Sequence, residues 1–254
     1  MINKKRLIGL VQKLIQIDSQ NPPGDETKIA HFIYDYLKNL GIKPKIYEFY
    51  PKRANVLLKI KGMTSKEVLL SPHLDTVPAG RDWKISAFSG KVKDNKIYGL
   101  GATDCKGNLG VCLEVITSLR EDKVRLPYTL VFAGTADEET GSQKGLVPLL
   151  KRRILNPAIA LILDAEDFNL IVCQKGLIHL KVKLKGKRAH GAYPWRGRNA
   201  IQNAVEILKE LKEFPLPYPS HRLLKPPTIN IGTIHGGDKV NIVADWCEFE
   251  LDIR

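Results

Sequence analysis

Three apolar runs end directly on side chains able to hold a metal ion: Val68–Asp75 (VLLSPHLD), Leu130–Glu139 (LVFAGTADEE) and Ala160–Asp164 (ALILD). Short runs of this kind bounded by polar turns read as buried strands, and in open α/β sheets ligands collect beyond the carboxyl ends of strands. Runs that end in His73, Glu139 and Asp164 therefore point to one shared site at a sheet edge, and to a metal-dependent enzyme.

The rest of the chain narrows the alternatives. Its 254 residues, 43% hydrophobic, suffice for one sizeable core or two modest ones. No stretch approaches the roughly 20 apolar residues of a membrane span, so no membrane partner is expected. Leu7, Leu10, Val11, Leu14 and Ile15 fall at helical spacing, which makes the opening an amphipathic helix rather than a leader. The four cysteines, at 105, 112, 173 and 247, form no C-x-x-C pair, and they predict thiols in a reducing cytoplasm. A net charge of +13 suits anionic substrates as well as a lysine-rich surface. The basic run Lys181–Arg188 (KVKLKGKR) alternates as an exposed strand face would, with no aromatic stacking platform beside it, so no nucleic-acid partner is expected.

Alternating patterns predict a mixed α/β sheet covered by helices. Helices are expected near 4–17 and 25–39, the second entered through Asn21–Glu26 (NPPGDE) and stopped at Gly41. Strands follow near 43–49, 54–61 and 67–72. Leu100–Gly107 (LGATDCKG) leads into a helix through Leu119 that buries Val111, Leu113, Val115, Ile116 and Leu119, and another strand runs to Ala133. Composition changes after Gly176, which predicts domains at 1–176 and 177–254. The second has a strand at 178–184, a helix near 198–212, a Pro-rich connection at 214–219 and strands near 228–234 and 246–253, in β-α-β-β order.

Each candidate residue has an ordinary reading beside the chemical one. His73 and Asp75 lie two apart and point to one side of an extended segment, where a carboxylate can orient a histidine ligand; a lone histidine after a strand is otherwise a packed residue. Asp104 sits in a Gly-flanked turn before a helix, as a ligand or as a helix cap. Glu138 and Glu139 leave the core together, and adjacent side chains diverge, so one could bind metal while the other serves as general base. Asp164 is a ligand or a turn residue.

Four motifs together carry a resemblance: His73–Asp75 (HLD), Gly99–Asp104 (GLGATD), Asp137–Gly141 (DEETG) and Gly186–Gly191 (GKRAHG). Supported by Ser19–Pro23 and the Lys175–Gly176 pair, the chain resembles the zinc-dependent family of acetylornithine deacetylase, succinyl-diaminopimelate desuccinylase, aminoacylase and glutamate carboxypeptidase. The resemblance spans nearly the whole chain. It implies a mixed-sheet, zinc-peptidase-like catalytic domain with an inserted ferredoxin-like α+β dimerisation domain. It implies two Zn2+ or Co2+ ions, with Asp104 bridging, His73 and Asp164 on one metal, Glu139 on the other, Asp75 behind His73 and Glu138 as base. Asp164 is placed by its distance before Lys175–Gly176, with Glu166 as a substitute. His190 corresponds to a histidine contributed across a homodimer, and Asn241 and Arg254 to residues that hold a substrate carboxylate.

Members of that family continue further, completing both domains and supplying a last histidine ligand. The resemblance therefore implies a C-terminally truncated chain with both domains and the second metal site incomplete. The expected activity is hydrolysis of the amide bond of a small anionic N-acyl amino acid through a metal-activated water. The alternatives are a carboxypeptidase or aminopeptidase acting on small peptides, or a noncatalytic truncated homologue.

Overall fold

The computed structural model describes residues 1–164 and 169–254, and the chain divides into two units, 1–168 and 169–254. Glu166 lies outside the described residues. Along the first unit run α1 (Lys4–Gln16), α2 (Thr27–Asn39), β1 (Lys45–Glu48), β2 (Ala54–Ile60), β3 (Glu67–Pro72), β4 (Lys91–Lys93), β5 (Lys96–Tyr98), α3 (Lys106–Glu121), β6 (Thr129–Gly134), α4 (Leu146–Lys151) and β7 (Ile159–Leu163).

Five of these strands form one mixed sheet in the order β1-β2-β6-β3-β7, while β4 and β5 make a separate hairpin. Strand β3 runs parallel to both β6 and β7, with Val68 opposite Leu130 and Ile159, so the carboxyl ends of all three lie along one edge. Every residue of β6 is buried because helices cover both faces of the sheet. Leu130 and Phe132 pack with Leu14, Ile33, Leu109, Leu113 and Ile116 from α1, α2 and α3. Val131 and Ala133 point the other way, against Leu149 of α4 and Leu155. A fully buried leucine of this kind contributes about 1.5–3 kcal/mol.

Two expectations are corrected. In α3 the buried stripe follows Leu109, Cys112, Leu113 and Ile116, and Val111 is 44% exposed. Val111 lies two positions from both Leu109 and Leu113, about 200° round the helix, so it faces water. Strand β7, read as buried, is open to solvent: Ile159, Leu161 and Ile162 are exposed, since among the described residues the strand pairs only with β3. The α3 helix also buries Glu114, which accepts from Arg6 Nε at 2.6 Å and from the Asn3 N–H at 2.7 Å, tying α1 to α3.

The second unit contains β8 (Ile178–Lys185), α5 (Ala200–Glu213), β9 (Ile229–Gly236) and β10 (Trp246–Ile253). This is the β-α-β-β order read from the sequence. The strands form an antiparallel sheet, β8-β10-β9. Cys247, Phe249 and Leu251 pack with Val182 and Leu184 beneath Ala200, Ala204, Ile207 and Leu211. The opposite face is charged, with Lys181 Nζ 2.8 Å from Glu250. Asn199 caps α5, its side chain accepting from the Ile201 N–H at 2.9 Å and the Gln202 N–H at 3.3 Å. No helix among the described residues is long and apolar enough to cross a membrane.

Candidate metal centre

The three parallel strands deliver their following residues to one edge. His73 follows β3 and extends it by a parallel bridge to Thr135, the Glu138–Thr140 turn follows β6, and Asp164 follows β7. The His73 ring is buried, with Nε2 2.7 Å from Asp104 Oδ1 and Nδ1 2.9 Å from the Asp75 carbonyl oxygen. Asp75 Oδ1 stands 3.6 Å from Nδ1, so the carbonyl takes the hydrogen bond and the carboxylate acts on the ring by charge. Burial works to lower the His73 pKa, but Asp104 and Asp75 outweigh it and hold the imidazole well above its usual range.

Asp75 has a second task. Its Oδ1 accepts the Glu138 N–H at 3.1 Å, and its Oδ2 accepts the Glu139 N–H at 3.2 Å and the Asn21 side-chain amide at 2.8 Å. It thereby anchors the turn that presents both glutamates. Asp137, with φ +67°, opens that turn in the left-handed region, which Asp adopts more readily than most residues.

Asp104 is half exposed, immediately before α3. The helix is capped at Cys105 without a side-chain bond, so Asp104 is free of the capping role; its carboxylate meets His73 and, by a side-chain hydrogen bond, Asp164. These contacts, His73 foremost, lower its pKa. Asp164 also holds the Asn108 amide through its backbone oxygen at 2.8 Å.

The carboxylates repel one another. Burial raises the pKa of Glu138, and Asp164, Asp75 and Asp104 add to it. Burial, followed by Asp104, pushes Glu139 up to about 7. Glu139 Oε1 accepts the Val77 N–H at 3.0 Å. Five carboxylates gathered around one imidazole make a donor set of hard oxygens and one nitrogen that fits divalent cations such as Zn2+.

Among the described residues, the group compact enough to hold an ion in the present geometry is His73, Asp104 and Cys105. Cys105 is a poor third ligand. Its Sγ donates to the His73 carbonyl at 3.4 Å and accepts the His73 N–H at 3.2 Å, and burial pushes its thiol pKa up, away from the thiolate a metal needs. Its work is to fix the His73 backbone.

The residues singled out in the second unit fall at two places. His190 forms a bridge with Ile242, and the Gly191 N–H donates to the Asn241 carbonyl at 2.8 Å, so His190 and Asn241 share one loop pair at the start of β10. Arg254 lies beyond the other end of β10, its Nε 3.1 Å from Asp252 Oδ2. Sequence reasoning missed Asn21, Glu26, Arg53 and Cys105, which surround the site without belonging to a ligand pattern. The signal for the first two was the NPPGDE stretch, read as a helix entry and, through Ser19–Pro23, as part of the resemblance, with no role given to either side chain.

Comparison with known proteins fits this geometry. Residues 172–254 match the peptidase dimerisation domain family, and residues 55–147 match peptidase family M28. Acetylornithine deacetylase of Photorhabdus laumondii is 30% identical over 255 residues, which cover 94% of this chain and 62% of that protein. A tripeptidase structure from Staphylococcus aureus is 27% identical with a TM-score of 0.74, covering 100% of this chain and 67% of its own. An M20 family metallo-carboxypeptidase from Sulfolobus solfataricus, 19% identical over 98% of this chain and 70% of its own, shares the fold with a TM-score of 0.78.

The fold is that of a metallopeptidase-type α/β protein. Residues 172–254 are matched by the dimerisation domain of such peptidases, the chain as a whole is similar to an acetylornithine deacetylase and to a tripeptidase, and it spans less than two thirds of the length of the deacetylase it matches.

Proposed function

We propose that the chain carries the metal centre of a hydrolase that cleaves the amide bond of an N-acyl amino acid, in the manner of a deacetylase or desuccinylase. The observation that carries this reading is the convergence of His73, Asp104, Glu138, Glu139 and Asp164 at one sheet edge. It occurs in a chain 30% identical to an acetylornithine deacetylase.

His73, Asp104, Glu139 and Asp164 would hold two divalent cations, Zn2+ or Co2+. Asp104, in contact with both His73 and Asp164, is the carboxylate suited to be shared. Bound cations supply Lewis acidity toward water and toward the amide carbonyl. Glu138, open to solvent on one side while its carboxylate is partly buried and its pKa raised, is suited to take the proton of the attacking water and pass it to the departing amine. Asp75 keeps Glu138 in place through the peptide N–H. His190 is assigned a catalytic role across the homodimer, and Asn241 and the guanidinium of Arg254 are assigned to a substrate carboxylate. The second unit supports a homodimer through its match to the dimerisation domain, and four free cysteines accord with a cytoplasmic setting.

The test is metal content per chain after loading with zinc or cobalt, together with hydrolysis of N-acetylornithine, N-succinyl-diaminopimelate and a tripeptide. Two ions per chain and deacylation are expected. Turnover of the tripeptide alone would transfer the assignment to the peptidase reading, which the tripeptidase likeness favours. At most one ion with no turnover would make the chain a noncatalytic homologue.

A further inference from the structure

A buried ionic cluster lies directly behind the turn that bears Glu138 and Glu139. Arg53, 3% exposed, places Nη2 2.7 Å from Glu26 Oε1 and 3.0 Å from Asp137 Oδ1, and Nη1 3.5 Å from Asn21 Oδ1. Glu26 and Asp137 are equally buried. Gly24, at φ +82°, lies so close that an added Cβ would fall 1.8 Å from Nη1, so the NPPGDE stretch wraps the guanidinium with Asn21, Gly24 and Glu26.

From this cluster two paths lead to the glutamates. One passes through Asp137, which begins the turn; its carboxylate also accepts the Thr140 hydroxyl at 2.7 Å and the Lys144 N–H at 2.9 Å. The other passes through Asn21, whose amide donates to Asp75 at 2.8 Å and to Thr140 Oγ1 at 3.2 Å. Asp75 in turn accepts the N–H groups of Glu138 and Glu139. A buried arginine with two carboxylates is no better for stability than apolar packing of the same volume, so its presence here calls for another reason. Fixing a geometry supplies one.

We propose that Arg53, together with Asn21 and Glu26, is a positioning residue that sets the aim of Glu138 and Glu139 by holding Asp137 and Asp75 on either side of their turn. This rests on the reading of that turn as part of the metal centre. Removing the guanidinium takes the buried counter-charge from Glu26, leaves Asp137 only the more distant Lys144, Nζ 4.0 Å away, frees Asn21 Oδ1, and lets the left-handed residue at the head of the turn relax.

The test compares Arg53→Met and Asn21→Ala with Leu113→Ala, a core deletion in α3 away from the turn, all in the full chain. Two readouts are taken: amide hydrogen exchange over residues 136–142, and cobalt affinity. In both network variants the turn is expected to lose about tenfold or more of its protection relative to the Leu113→Ala control, whose loosening is global. Cobalt affinity is expected to fall by about 10- to 100-fold. Exchange no faster than in the control would overturn the proposal, as would unchanged cobalt affinity in a variant whose turn has loosened. A parent chain that binds no cobalt would instead sink the metal-centre reading, while the exchange comparison still decides whether Arg53 positions the turn.

Discussion

Glu139 sits where the electrostatic conflict of the site is sharpest. Burial, Asp104 and Asp75 together keep its proton on up to about pH 7, with His73 opposing them. His73 is itself held protonated well above its usual range. A metal ion needs both groups deprotonated, so binding releases two protons below pH 7 and one above it. Cobalt affinity is then expected to rise about 100-fold per pH unit below 7 and about tenfold per unit above it. Titrations between about pH 5.5 and 8.5 measure this, and a single slope through neutrality would remove Glu139 from the ligand set. Glu138 and Asp104 separate by a different criterion. Glu138→Gln keeps shape but loses the proton acceptor, so turnover should fall by about 10²- to 10⁴-fold with metal content intact. Asp104→Ala should lose metal itself, as measured by elemental analysis; full metal content in that variant would return Asp104 to an ordinary turn residue. His73, Asp75, Asp104, Glu138, Glu139 and Asp164 were legible because each stands at the end of an apolar run or in a Gly-flanked turn. Arg53 and Glu26 were not, because a charged residue in a linear sequence carries no mark of whether its partner lies in water or behind a β-strand.

At the level of elements, helices with strong periodicity and strands with alternating or continuous apolar character were read within a few residues. What escaped was phase and exposure. The α3 stripe was misplaced at Val111, because Val111, Cys112 and Leu113 are consecutive apolar residues and composition alone does not say which of them faces water. The β4–β5 hairpin was missed although Asp94 and Asn95, at φ +51° and +57°, form a left-handed pair at its turn. Strand β7 is the opposite case, a run whose composition says buried and whose position says edge. An apolar edge strand is a template for pairing with other chains. Ile162, 59% exposed, is the place to interrupt it. Ile162→Lys is expected to reduce light scattering on concentration without lowering the melting temperature. A fall in melting temperature would mean that the strand's side chains support the core after all.

For the molecule as a whole, β10 acts as a spacer within the second unit. Eight residues of strand separate the His190–Asn241 loops from Arg254, a span of about 26 Å. A small substrate cannot touch both ends within one copy of that unit, so if all three residues serve catalysis, two copies must share the work. Mixing inactive His190→Ala and Arg254→Ala chains is then expected to restore about a quarter of parental activity, the share from hybrid dimers with one intact set. No recovery would confine the function of these residues to one chain or to neither. The parallel arrangement of β3, β6 and β7 has a consequence in time as well as space. His73, Glu139 and Asp164 are far apart in sequence and meet only once all three strands are paired, so a half-formed chain offers an ion no complete grip. Cobalt should therefore leave the refolding rate unchanged and slow unfolding in stopped-flow measurements, because its contacts arise after the rate-limiting pairing rather than before it.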